Sequence, residues 1–76
     1  MTTTYEIYYN LDLIAENADR DYAIHAAGDA LNDRARHNEW GASGDVECQI
    51  IGIDEHGAEV LVEDIEIEWT TEEGSY

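Results

Sequence analysis

Cys48, His25, His37 and His56 are the residues of this chain best suited to nucleophilic or transition-metal chemistry, and their spacing favours neither. His25 and His37 are separated by more than three helical turns, so one helix cannot bring both to one ion. His56 falls in a turn-like DEHG segment, and no HExxH motif or i, i+4 histidine pair occurs. Cys48 lies in an apolar, strand-like run, which reads as a small buried residue rather than an activated thiolate. GASG at 41–44 lacks the lysine of a phosphate loop, and DEHGAEVLVEDIE lacks EF-hand spacing. With nineteen Asp and Glu in 76 residues, close carboxylate pairs arise by chance and carry no glycosidase signature. The expectation is no enzyme, no cofactor, no small-molecule substrate and no dedicated metal site.

What remains is the placement of the carboxylates. Asp64, Glu66 and Glu68 alternate, and a strand would project them from one face about 6.7 Å apart. Phosphates along one DNA strand are separated by a similar distance, on the order of 6–7 Å. Glu59, Glu63, Glu72 and Glu73 can extend the acidic surface around this comb, and Asp29 and Asp33 form an i, i+4 like-charge pair on a helix. A run of charge is ordinarily a solvated face, but such faces mix both signs, and here no lysine is interspersed.

The elements that must position these groups follow from periodicity. Residues 3–13 alternate, with Tyr5, Ile7, Tyr9, Leu11 and Leu13 on one face and Glu6, Tyr8, Asn10 and Asp12 on the other. Tyr5 and Tyr9 are expected in the core with Trp69 as a partner, and Tyr8 is a candidate contact on a partner-facing surface. Asn17 or Asp19 can cap a helix running to about Asn38, with Ala23, Ile24, Ala27, Leu31 and Ala35 as its buried stripe. Gly28 would allow that helix to pack closely on a sheet, and the helix should stop near Trp40-Gly41. Residues 45–53 read as a strand and 54–57 as a hairpin connection. In 58–70, Val60 and Val62 share one parity while Ile65, Ile67 and Trp69 share the other, which predicts a bulge or turn at Glu63-Asp64. The expected fold is a single α+β domain over 1–76, with one helix on an antiparallel sheet of three to four strands. Its order is β-α-β-β, with a fourth strand if Glu63-Asp64 turns, and 72–76 form a frayed tail.

The formal net charge is −16, and residues 45–76 hold eleven carboxylates and no Lys or Arg. So much like charge opposes a compact state. It also excludes direct binding to nucleic acid or anionic lipid, both of which need Lys and Arg. No run is apolar enough to span a membrane, no secretory leader is evident, and the lone cysteine fits a reducing cytoplasm, taken as that of a bacterial or archaeal host. Sixteen charges match roughly 27 Å of duplex, close to the ~30 Å diameter expected of a 76-residue globule. The natural partner is a basic, Lys/Arg-rich surface of a nucleic-acid-binding protein.

In size, charge and α+β organisation the whole chain resembles the small acidic phage-borne inhibitors of bacterial defence. It is most similar to anti-CRISPR proteins that mimic target DNA and more distantly similar to antirestriction proteins. These families share no motif, so no residue role transfers. The resemblance implies an inhibitor in the basic target-DNA or PAM-reading groove of a CRISPR surveillance complex. Two other readings stand beside it: a halophilic domain with acids spread evenly for high salt, and an acidic interaction module of antitoxin type.

Overall fold

The computed structural model describes residues 3–71. Its elements are β1 (Thr4–Tyr9), β2 (Asp12–Asn17), α1 (Arg20–Asn38), β3 (Ser43–Ile53) and β4 (Glu59–Thr70). The strands form one antiparallel sheet in the order β2-β1-β3-β4. The single helix covers one face of this sheet, giving the expected two-layer α+β architecture. The 72–76 tail, with Glu72 and Glu73, lies outside the described residues.

Local chemistry explains the helix. Asp19 is the N-cap, and its carboxylate accepts from the backbone N–H groups of Asp21 and Tyr22 at 2.9 and 3.2 Å. Asp21 lies in the positive first turn, and Arg36 and His37 lie in the negative last turn. Glu39 ends the helix in the left-handed region at φ 53°. Ala23, Ala27, Leu31 and Ala35 are fully buried, so small side chains bring α1 down onto the sheet. Gly28 is not what permits this approach. A methyl group there would meet the Glu68 carbonyl and Ile67 at 3.8 and 3.9 Å, ordinary contact distances.

The sheet departs from expectation in two places, and one parity argument explains both. The 3–13 segment is not one strand but a hairpin, turning at Asn10 and Leu11 with φ 51° and 72°. A two-residue turn of this kind needs positive φ at both central positions. It also reverses which parity faces the core: Tyr9 pairs with Asp12, and Tyr8 with Leu13. Leu11 and Leu13 are therefore exposed, at 94% and 48%, rather than buried with Ile7. At the other end, β4 runs unbroken through Glu63-Asp64. Leu61, Glu63, Ile65, Ile67 and Trp69 all point to the helix side, while Val60 and Val62 are exposed. The register irregularity of this hairpin instead lies at Gly52/Ile53, opposite Glu59 to Leu61. The fourth strand thus comes from the N-terminal segment, and the order is β-β-α-β-β.

The connection at 54–57 is the hairpin the sequence indicates. The Asp54 carboxylate accepts from the N–H groups of His56 and Ala58 at 2.8 and 2.9 Å, and Gly57 supplies φ 82°. The core contains Ile7, Ile50, Cys48, Ile67 and Trp69 beneath the helix stripe. Trp40 links Tyr9 to Trp69, edge-on to both, at centroid distances of 5.7 and 5.4 Å. The molecule measures 40 × 26 × 16 Å, longer and flatter than a globule of its length. Sixteen net charges over 40 Å come to about one per 2.5 Å, sparser than the ~1.7 Å of duplex.

Candidate functional site

Ile7, Ile50, Cys48, Ile67 and Trp69 fix the buried side of the sheet, so the alternate residues form its open side. Eight carboxylates lie on that open side: Glu6, Glu16, Asp45, Glu47, Glu59, Asp64, Glu66 and Glu68. Three pairs stand directly opposite one another across adjacent strands, namely Glu6–Glu16, Asp45–Glu68 and Glu47–Glu66. Directly opposed like charges destabilise a sheet. All three arginines lie on α1, so none lies on the open face.

The comb of Asp64, Glu66 and Glu68 is thus real in register, and it is one rail of a ladder whose other rail is Asp45 and Glu47. The remaining candidates divide. Glu59 shares the open face, exposed beside the 54–57 turn. Glu63 faces the other way and accepts a 2.7 Å hydrogen bond from Arg20 at the start of α1. It belongs to the helix layer rather than to the comb. Asp29 is exposed on α1 and borders a groove of about 360 Å³ between the helix and β4, which Glu66 and Glu68 also line. Asp33 is exposed one turn further along and does not line that groove.

Tyr8 does lie on the open face, in a transverse row with Gln49 and Asp64. Its hydroxyl donates to Glu6 at 2.9 Å. That bond to Glu6, followed by desolvation and the nearby Glu6, Glu16 and Glu59 charges, raises its pKa above the ordinary 10.0. On the buried side, desolvation raises the Cys48 thiol, consistent with an unreactive core residue.

Asp45, Glu47, Glu6 and Glu16 had not been singled out in the sequence. Asp45 and Glu47 come opposite Glu68 and Glu66 only after the register shift at Gly52/Ile53, so the 54–57 hairpin alone does not reveal the pairing. The pairing of Glu6 and Glu16 depends on the hidden Asn10-Leu11 turn. The open face is also not uniformly acidic. Tyr8, Leu13, Ile51, Ile53 and Val62 lie beyond the carboxylate ladder, interleaved with Glu6, Glu16 and Glu59. Among the described residues, no group of three or more His, Cys, Asp or Glu is gathered to hold a metal ion, and no helix is long and apolar enough to cross a membrane. Comparison with protein-family models, with curated proteins and with solved structures finds no match.

Proposed function

We propose that this protein is an acidic inhibitor whose open sheet face occupies the basic nucleic-acid-binding groove of another protein and excludes DNA. The observation that carries this reading is the three directly opposed carboxylate pairs on a face without an arginine or lysine. Such pairs oppose folding, and a basic partner would relieve them. The ladder of Asp45 and Glu47 against Asp64, Glu66 and Glu68 gives a two-railed row of negative charge, with about 6.7 Å between successive carboxylates on each rail. Counterion release and electrostatic steering would supply affinity and speed. The resemblance to anti-CRISPR proteins makes a CRISPR surveillance complex in a bacterial or archaeal cytoplasm the first target to test.

The confinement of all three arginines to α1, which leaves the open face with carboxylates as its only charged side chains, favours this reading over a salt-adapted surface. The test is competition. The chain is immobilised, host proteins are captured, and the captured protein is challenged with duplex DNA at several salt concentrations. Displacement by DNA and a steep loss of binding with salt are expected. Changing Asp64, Glu66 and Glu68 together to Ser should impair binding while leaving the circular dichroism spectrum unchanged. A stable ternary complex with DNA, or full binding by the triple variant, would overturn the proposal.

A further inference from the structure

A concavity of about 440 Å³ opens on the same sheet face, where apolar side chains and carboxylates meet. Tyr8, Leu11 and Ile51 line it on the apolar side, and Glu47 and Asp64 line it on the acidic side. Gln49 lies between Tyr8 and Asp64 in register, which puts the ring and the carboxylate about 9–10 Å apart at their backbones. At its rim stands Leu11, almost fully exposed and held at φ 72°. A branched aliphatic residue in the left-handed region is strained, and strain of this kind collects at contact sites.

We infer that this concavity is a socket for an arginine side chain projecting from the basic partner. This deepens the reading above and rests on it. A purely apolar occupant would bury the two carboxylates without partners, and a small cation would leave the apolar wall uncovered. Arginine satisfies both sides. Its aliphatic stem covers Leu11 and Ile51, while its planar guanidinium stacks on Tyr8 and donates to Asp64 or Glu47. Lysine offers a compact, strongly hydrated charge that neither stacks nor forks, so the socket discriminates between the two.

The test titrates the intact isotope-labelled protein with N-acetyl-arginine amide and, separately, N-acetyl-lysine amide, following backbone amide shifts. The arginine derivative should shift the amides of Tyr8, Gln49 and Asp64 saturably and bind about fivefold more tightly than the lysine derivative. Tyr8→Phe, which keeps the ring, should retain this preference, and Tyr8→Leu should abolish it with the remaining spectrum intact. Equal binding of the two probes, shifts centred on Asp45 and Glu68, or a preference that survives Tyr8→Leu would each overturn the socket. The two claims fail separately. Loss of arginine preference with DNA competition intact removes the socket alone, whereas an arginine-selective socket on a protein that never competes with DNA removes the inhibitor reading alone.

Discussion

Replacing one member of each opposed carboxylate pair should stabilise this protein while weakening its binding to a basic partner. The variant is Glu16→Gln, Glu47→Gln and Glu68→Gln, which leaves Glu6 free to accept from Tyr8. Each substitution removes one direct cross-strand repulsion, worth about 0.2–1 kcal/mol on the scale of sheet pairs. Summed over the three pairs, two of them adjacent rungs that couple, this gives about 1.5 kcal/mol as a central figure, and for a chain of this size that raises Tm by about 6–12 °C. Ionic strength supplies the control. The screening length is ~30 Å at 0.01 M salt and ~3 Å at 1 M, so the gain should be largest at low salt and shrink towards zero at high salt. Melting both proteins by circular dichroism at the two salt concentrations gives the four numbers required. An equal gain at both would assign the effect to packing or propensity rather than charge. No gain at low salt would show that the carboxylates are not in conflict, and the functional argument built on that conflict would fall with it. The wild-type curve at low salt also decides the halophile reading, since a well-folded protein there has no need of molar salt.

Leu11→Gly should raise stability by about 1 kcal/mol, because glycine occupies the left-handed region without the side-chain clash that leucine carries at φ 72°. The same change removes the apolar rim of the concavity and should weaken partner binding, so opposite signs in the melting and binding measurements are expected. A loss of stability would refute the strain assigned to this turn. Glu63→Gln should behave oppositely to the comb variants. It breaks the 2.7 Å pair with Arg20, whose partners are 41% and 42% exposed, so the loss should be no more than about 1 kcal/mol. Partner binding should be unaffected, because Glu63 lies on the helix side; a binding defect equal to that of Glu66→Gln would contradict this placement.

The parts of the fold legible in the sequence are those that rest on strong local signals. An N-cap at Asn17 or Asp19 ahead of an alanine stripe and the Asp54–Gly57 connection each carry their own chemistry; the structure takes Asp19 as the cap and forms the connection as read. Legibility failed where one assumption entered: that every apolar residue of a strand faces the core. Tyr5 to Leu13 alternates without a break because leucine, rather than glycine, occupies the second turn position, so the usual punctuation is missing. Val60 and Val62 imply a broken strand only if both must be buried. They are exposed, and Leu61 continues the inward series through Glu63, whose charge is met by Arg20. The comb was readable because period 2 needs no partner strand. Its second rail required the register shift at Gly52/Ile53 as well as the hairpin, and the exclusion of Glu63 required knowing which face the helix covers.

The distribution of arginine bears most directly on function. The chain does contain cations, and Arg20 and Arg34 form ion pairs in the helix layer, with Glu63 at 2.7 Å and Asp12 at 3.4 Å. The single acidic residue that β4 turns towards the helix is therefore paired, while Asp64, Glu66 and Glu68, which it turns outward, oppose or adjoin further carboxylates. A surface shaped only for solubility would intersperse both signs, and one substitution to lysine at position 47 or 66 would suffice to turn a repulsive pair into an attractive one. The helix layer keeps exposed acids of its own, Asp21, Asp29 and Asp33 among them, so what is arranged by side is the arginine: all three lie on α1, and among the described residues no element covers the open side. On the function proposed above, a basic surface from outside would relieve the opposed carboxylates of the open side.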